Sequence, residues 1–554
     1  MLNWRVLSAG VLLAGAVPAA AQYAPPVAAA TPAALVALFD DWRAFVEPAR
    51  PGGVPDYGSA AMARKAAELP RFRERLKRLD RSGWSAAAVT DAELIRAEIN
   101  GFDFNLRVLQ PWARDPNFYR TLFGDESDVP AHEGPSAGDI DLFKLSWPLS
   151  RADDRALTAQ LKAVPALLAA ARVNLAGSNA RDLWVYGDRT FKEQSEVLAD
   201  LAANRLVMRT LEGAPRATMT GASPVLLAAI GDARAATDAF AAWIATEARG
   251  KTGSSGVGKA NYDWYAANVA FSPYSLDEQR VLLQRELDRS LASLRLEELR
   301  NRSLPPIAPI DDPTAFRAMA EAKTARFNDF LVATGLAPDR PYFRAAMAAQ
   351  TSRYTALSDR NFFSHVTALD PLPLLSHSTH WIELARLKHE PHASPIRRRA
   401  SLFNNFADRS EGFATAMEEV VMQAGLYDDI PHGRELVWIM LANRAARGLA
   451  SLRVQANEID LAQAGRFHAE WTPRGWSNPD SPLVGFEQLL YLRQPGYGPS
   501  YIIGKLQLDR LIAVGSQAAD RAGRPFVMGE VFGRIIDAGI VPPTLIEAEV
   551  FGVR

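Results

Sequence analysis

The sequence has 554 residues, a formal net charge of −1, 48% hydrophobic residues and no cysteine. Its length and apolar content allow a large buried core, and the balanced charge gives no indication of nucleic-acid binding or of broad attraction to a membrane surface. The lack of cysteine excludes disulfides, thiolate metal ligands and a lipid-modified N-terminal cysteine within this sequence.

The first residues follow the pattern of a secretory signal. Arg5 supplies a positive charge, a short apolar run follows, and Ala19 and Ala21 form an A-x-A pattern. We predict that residues 1–21 are a signal peptide and that the mature protein is periplasmic or secreted. A membrane anchor is the alternative, but the run is shorter than the roughly 20 residues that a span requires. No later segment is long and apolar enough for a span, so none is expected after cleavage.

Helical periodicity dominates the rest of the chain. Apolar residues between 35 and 46 fall on one helical face, and Pro48 ends that pattern. Long alanine- and leucine-rich helical segments are predicted at 151–175 and 190–211. A capping box formed by Ser275 and Glu278 opens another helix. The apolar stripe expected on that helix consists of Val281, Leu282, Leu287, Leu291 and Leu294. Strand patterns are few and short, so we predict a mainly α protein, a single large helical body with little sheet.

Two irregular stretches, 250–262 and 301–316, interrupt the helical pattern. We divide the mature chain into an N-terminal helical region, 22–250, and a C-terminal helical region, 251–554, and we expect them to form one continuous structural unit. The stretch GSSGVGK matches a phosphate-binding loop in spacing. However, a helical segment precedes it, and Ala260 stands where Ser or Thr would hold magnesium. A flexible glycine-serine loop is the better interpretation.

The most informative stretch is PLPLLSHSTHWIEL, which contains His377 and His380, and Glu411 follows on a later predicted helix. A histidine pair alone is more often a surface or core feature, but two histidines with a later glutamate are typical of helical zinc hydrolases. Glu411 and Glu418 are two helical turns apart, so both can face one cleft. Gly412, beside Glu411, permits a close backbone approach.

Several segments resemble the bacterial "domain of unknown function 885" family. EGFATAMEEVVMQAGLYDD is similar to its EGWALYAE…GLY-D motif, and YLRQPGYGPSYIIGKLQLDRL is similar to its RY…PGQA-x-Y-x-IG segment. FVMGEVFGRIIDAGIVPPTLIEAEV resembles the closing pattern of the family, and GKANYDWYAANVAFSPYSLDEQRVLLQREL resembles an earlier region. These similarities cover most of the mature chain and are most specific after residue 258.

The resemblance implies a mainly helical fold like that of HExxH-type zinc peptidases, with a central cleft. Members carry HExxPGHxxQ and then EGW, where two histidines and the later glutamate bind zinc and the first glutamate activates water. On this chain the second histidine falls on His380, the glutamine on Glu383 and the EGW glutamate on Glu411. The first histidine falls on Leu374 and the general base on Leu375, so one zinc ligand and the base are missing.

We therefore expect an exported enzyme-like protein with an altered zinc motif. The leading hypothesis is a metal-independent hydrolase or lyase that needs no cofactor and acts on a small-molecule, peptide or oligomeric substrate. The residues expected to be catalytic are His377, His380, Glu411 and Tyr501. Histidine can serve as general base or acid, and a tyrosine hydroxyl can stabilise an oxyanion. The residues expected to bind substrate are Arg493, Tyr497, Lys505, Glu418 and Glu383.

Two alternatives remain open. One is a zinc-dependent peptidase or other hydrolase with a shifted ligand set of His377, His380 and Glu411. The other is a non-catalytic pseudo-peptidase that retains the cleft and binds a peptide or another ligand. The metal content separates the zinc hypothesis from the others, and the sequence does not define the oligomeric state.

Overall fold

The computed structural model describes residues 31–130, 134–138 and 140–552. The signal peptide predicted at residues 1–21 lies outside these ranges. Helices dominate the described residues, so the prediction of a mainly α protein with little sheet is confirmed.

Ten α-helices form the first half of the described chain. They are α1 (Ala33–Val46), α2 (Ser59–Lys77), α3 (Ala86–Phe104), α4 (Pro111–Arg114), α5 (Arg151–Asn174), α6 (Arg181–Val185), α7 (Asp188–Ala202), α8 (Pro224–Glu247), α9 (Lys259–Tyr265) and α10 (Leu276–Asn301). The strands of this half are two residues long, β1 (Leu122–Phe123) and β2 (Ile140–Asp141), and they pair in parallel with Leu122 opposite Ile140.

The α-helices of the second half carry most of the polar residues singled out above. They are α11 (Pro313–Ala333), α12 (Pro341–Ala349), α13 (Phe362–Leu369), α14 (Leu372–His377), α15 (His380–His389), α16 (Ala407–Gln423), α17 (Pro431–Gln455), α18 (Leu461–Trp471), α19 (Pro482–Arg493), α20 (Tyr497–Arg521), α21 (Met528–Asp537) and α22 (Pro543–Phe551).

Helix boundaries follow the sequence signals in several places. The helix α1 ends two residues before Pro48, because proline cannot donate to the preceding turn. The capping box of Ser275 and Glu278 opens α10 as predicted. The stretch GSSGVGK lies in the loop between α8 and α9, downstream of a helix rather than a strand.

Two local predictions were wrong. The helix α7 ends at Ala202 instead of continuing to residue 211, because Asn204 takes a left-handed conformation (φ 55°) and the chain turns back. Val281 of α10 is 69% exposed. The buried stripe of α10 instead contains Leu276, Leu283, Leu287 and Leu294. At 3.6 residues per turn, Val281 points about 140° away from Leu276.

Apolar packing crosses residue 250, where the sequence was divided. Ala450 of α17 and Leu489 of α19 belong to the core built mainly from α5, α7 and α8. Conversely, Phe104 of α3 belongs to the core of the C-terminal helices. The C-terminal helices therefore carry the site while packing directly against the N-terminal ones.

Among the described residues, α5 alone is long and apolar enough to cross a membrane by length and composition. The expectation that no segment after residue 21 is long and apolar enough for a span was therefore wrong by this criterion, because the alanine- and leucine-rich composition of α5 meets it. Its residues Leu157, Leu161 and Leu168 are buried in the N-terminal core. The helix is therefore packed as an amphipathic core helix in this structure.

Two glycines set the distance between the helices that hold the site. A Cβ atom on Gly412 of α16 would lie 2.3 Å from the Cα atom of Gly504 of α20. The two backbones therefore touch, as the glycine beside Glu411 suggested. This crossing brings the face of α16 that carries Glu411 and Glu418 against the start of α20.

Candidate active site

A cleft of about 670 Å³ opens where α14 to α17 approach α19 and α20. All four residues predicted to be catalytic line it: His377, His380, Glu411 and Tyr501. His377 is the last residue of α14 and His380 is the first residue of α15. The short break between these helices places the two imidazole rings 5.2 Å apart.

Both ring nitrogens of His377 face carboxylates. Nδ1 lies 2.9 Å from Oε1 of Glu418, and Nε2 lies 3.3 Å from Oε2 of Glu411. Burial, together with the nearby guanidinium of Arg444, lowers the pKa of His377 to about 3, so the imidazole is neutral at pH 7. A neutral imidazole donates one hydrogen bond. The shorter contact favours the tautomer that carries this proton on Nδ1, in which the lone pair of Nε2 is directed at Glu411.

Glu411 is held from its other side by a tyrosine. The hydroxyl of Tyr497 donates to Oε1 of Glu411 at 2.6 Å. Oε2 of Glu411 is buried and has no hydrogen-bond donor among the described residues. It faces the Nε2 lone pair of His377, so a proton or a cation between these two atoms would stabilise both. Tyr497 therefore positions Glu411.

Tyr501 combines a polar hydroxyl with a cation above its ring. Its ring centroid lies 5.9 Å from that of His377, and the guanidinium carbon of Arg447 lies 4.1 Å from its centroid. Burial and the charge of Glu411 raise the pKa of Tyr501 well above its usual value. The hydroxyl is therefore protonated at neutral pH, the form that can donate a hydrogen bond.

Two arginines of α17 line the cleft, and the sequence interpretation missed them. Arg444 lies 2.6 Å from Oε1 of Glu418, and Arg447 forms an ion pair with Glu487. Both arginine side chains are almost completely buried. The sequence feature that could have indicated them is the stretch NRAARG, in which two arginines one turn apart interrupt an otherwise apolar helix.

Asp128 is the other residue that the sequence did not indicate. Its Oδ2 lies 3.8 Å from Nε2 of His380. Asp128, His380 and Glu411 each bring one ligand atom within 4.8 Å of the other two. Asp128 belongs to the segment 125–130 of the N-terminal half, far from the histidines in sequence, so no spacing rule relates them.

The donors of Asp128, His380 and Glu411 fit a divalent cation. One imidazole and two carboxylates form a ligand set of the kind that zinc and similar ions bind, and an oxygen of Glu411 has no hydrogen-bond donor among the described residues. The set differs from the shifted set of His377, His380 and Glu411 that the sequence offered as the zinc alternative. His377 is not in this set because its two ring nitrogens contact Glu411 and Glu418.

The other residues expected to bind substrate are dispersed. Tyr497 lines the cleft, whereas Glu418 is fully buried behind His377.

The remaining three expected substrate ligands are paired elsewhere. Glu383 forms a buried ion pair with Arg409. The ammonium of Lys505 lies 2.9 Å from Glu419 and 3.2 Å from Asp509. Arg493 lies 2.6 Å from Asp115 and lines a second cavity. Glu383, Lys505 and Arg493 therefore do not line the cleft.

The chain is a mainly helical protein with a cleft lined by His377, His380 and Glu411. Two solved structures share the fold. One, from Shewanella oneidensis, is described as a "putative lipoprotein of unknown function"; it is 13% identical, with a TM-score of 0.64 over 94% of this chain and 100% of that chain. The other, described as the "putative lipoprotein from Colwellia psychrerythraea", is 13% identical, with a TM-score of 0.61 over 90% and 92%. A search of the curated proteins gave no match.

The family model described as "bacterial protein of unknown function (DUF885)" matches residues 48–331, and the chain belongs to this family. The family resemblance seen in the sequence is thereby confirmed. The matched range contains Asp128 and ends before His377.

Proposed function

We propose that the cleft is the active site of an exported hydrolase that acts on a small or oligomeric substrate. The observation that carries this proposal is the buried chain of contacts from Arg444 through Glu418 to His377, beside Tyr501 in a cleft of about 670 Å³. The signal pattern at residues 1–21 supports export to the periplasm or beyond. The likeness to two proteins described as putative lipoproteins agrees with it.

His377 is the proposed general base. Glu418 lies 2.9 Å from Nδ1 and favours the tautomer that is protonated there, and Arg444 holds Glu418 in place. The Nε2 lone pair can then take a proton from water or from a substrate hydroxyl. Glu418 offsets part of the cost that burial and the charge of Arg444 impose on the imidazolium that this step creates.

Tyr501 and Arg447 are the proposed stabilisers of negative charge on the substrate. The Tyr501 hydroxyl is a protonated donor, and Arg447 places a permanent positive charge beside it. In a buried site such donors stabilise a developing oxyanion more strongly than water does.

The experiment measures hydrolysis of p-nitrophenyl acetate and of a panel of dipeptides by the purified mature protein. We expect His377→Gln to reduce kcat by at least about a hundredfold, the usual contribution of a general base, and Tyr501→Phe to reduce it less. His389→Gln is the control, because His389 lies on the exposed end of α15. Equal turnover by the wild type and His377→Gln would contradict the proposal. Peptide binding without turnover would support the pseudo-peptidase alternative.

A second candidate is a cation-dependent hydrolase at the same cleft. The observation that favours it is the approach of Asp128, His380 and Glu411 to within 4.8 Å of one another. A bound divalent cation supplies Lewis-acid polarisation of a carbonyl or phosphoryl group. In this version Tyr497 fixes the orientation of Glu411, and the other residues keep the roles described above.

A further inference from the structure

A second cavity, of about 640 Å³, lies across the segment 125–130 from the cleft. Asp125 and Asp128 line the cleft, whereas Glu126, Ser127 and Val129 line the second cavity. The segment is therefore a partition with one face toward each space.

Backbone contacts hold this partition in place. Asp125 accepts a hydrogen bond from the backbone N–H of Arg209 at 2.7 Å, and the N–H of Glu126 donates to the carbonyl of Arg209 at 2.9 Å. The carboxylate of Glu126 also accepts from the N–H of Leu211 at 2.7 Å. The one carboxylate that lines the second cavity among the described residues is thus already engaged by the protein.

Positive charge predominates around the second cavity. The cationic residues that line it are Arg43, Lys144, Arg398, Arg399 and Arg493, and the only carboxylate among its described lining residues is Glu126. Arg398 is exposed, and within the described chain its guanidinium donates to the carbonyls of His392 and Ala393 without a carboxylate partner. Arg398 therefore offers a charge that no acidic group of the described residues compensates.

A buried amide faces the same cavity. Gln494 is 6% exposed, and its Nε2 has no hydrogen-bond partner among the described residues. A buried amide without a hydrogen-bond partner destabilises the folded protein. A ligand oxygen in the cavity would remove this cost.

The rest of the lining is apolar. Phe143, Phe403, Phe406, Leu384 and Leu387 contribute to the walls. Aromatic and aliphatic side chains next to an uncompensated guanidinium match a ligand that has both an apolar body and an anionic group.

We propose that the second cavity binds an anionic amphiphile, a molecule with a carboxylate or phosphate head group and an alkyl chain. Arg398 and the amide of Gln494 donate to the head group, and the chain packs on Phe143, Phe403 and Leu384. This site is separate from the chemistry of His377, so the two proposals fail independently.

The test is calorimetric titration of the full mature protein with dodecanoate and with dodecyl phosphate. We expect saturable binding of one molecule, with affinity reduced about tenfold in Arg398→Ala, the effect of losing one charge-assisted hydrogen bond. Gln494→Leu should also weaken binding. Arg317→Ala is the matched control, because Arg317 is 81% exposed on α11, outside the cavity lining. His377→Gln should bind as the wild type does.

Charge specificity is tested with dodecanol and dodecyltrimethylammonium, which should bind at least about tenfold more weakly than dodecanoate. Tighter binding of dodecyl phosphate would indicate a phospholipid-like source, and tighter binding of dodecanoate a fatty-acid-like source. No binding of either anion, or equal affinity in the wild type, Arg398→Ala and Gln494→Leu, would overturn the proposal.

Discussion

One carboxylate oxygen, Oε1 of Glu418, lies 2.9 Å from Nδ1 of His377 and 2.6 Å from a guanidinium nitrogen of Arg444. Glu418 has no exposed surface, and Arg444 has none either. The imidazole that faces the cleft is therefore oriented by an ion pair enclosed in the protein. The orientation of the His377 ring therefore depends on the ion pair between Glu418 and Arg444.

Breaking this ion pair should strongly destabilise the fold. Glu418→Gln leaves the Arg444 guanidinium buried without a counter-charge, and we expect the free energy of unfolding to fall by about 3–5 kcal/mol. The double variant Glu418→Gln/Arg444→Met should lose less than the sum of the two single variants, because neither charge remains. Urea unfolding of the three variants measures this coupling. Additive losses would show that the pair is not coupled.

The glycine crossing of α16 and α20 should tolerate no side chain. Gly412→Ala places a Cβ atom against the Gly504 backbone, so the helices must separate, and we expect a loss of about 1–3 kcal/mol or more. Gly231→Ala is the matched control. It lies in the helix α8 with open space around it, and there alanine should stabilise by roughly 0.5–1 kcal/mol. Thermal unfolding measures both changes, and similar effects at the two positions would refute the steric argument.

Metal analysis distinguishes the two versions of the proposed site. If the cation version is right, the protein purified without chelator holds about one equivalent of zinc. His380→Ala and Glu411→Ala should lose it, and Asp128→Ala should retain it more weakly. His389→Ala should keep it. Zinc lost in His377→Ala but kept in Asp128→Ala would favour the alternative ligand set of His377, His380 and Glu411. A protein that takes up no zinc even from excess would eliminate the cation version.

The pH dependence of stability should carry a contribution from Asp408. Burial raises the pKa of this carboxyl to about 7, against about 3.9 in an unfolded chain. The folded state keeps the proton where the unfolded state has lost it. The contribution is therefore fully present below about pH 4 and is lost as the pH rises to about 7.

Asp408→Asn removes this titration. The unfolding free energy of the wild type minus that of Asp408→Asn should decline between pH 4 and pH 7 and then level off. Asp520→Asn is the control, because Asp520 is exposed at the end of α20. Urea unfolding across this pH range measures the difference. A difference that stays constant with pH would show that Asp408 ionises normally in the folded protein.

Local signals in the sequence were sufficient for much of the fold and for one wall of the cleft. The end of α1 before Pro48 and the capping box at Ser275 depend on neighbouring residues, so they were readable directly. The spacing of Glu411 and Glu418 is a property of a single helix, and it placed both side chains near His377.

Residues that act through long-range pairing were not predictable in the same way. Lys505 and Glu383 are suitable substrate ligands by residue type, but each is paired with an oppositely charged residue on another helix. Asp128 approaches His380 only because the N-terminal half folds over the histidine helices. Neither periodicity nor motif spacing encodes such contacts between distant parts of the chain.

The partition formed by residues 125–130 has a consequence for classification. The family match at 48–331 includes this wall and none of the helices that carry His377, Glu411 and Tyr501. Two chains can therefore share the matched half and still differ at His377, Glu411 and Tyr501 in the cleft. Assigning a reaction to a relative therefore requires comparing the residues of both halves. Similarity in the matched half alone does not fix which residues line the cleft from the other half.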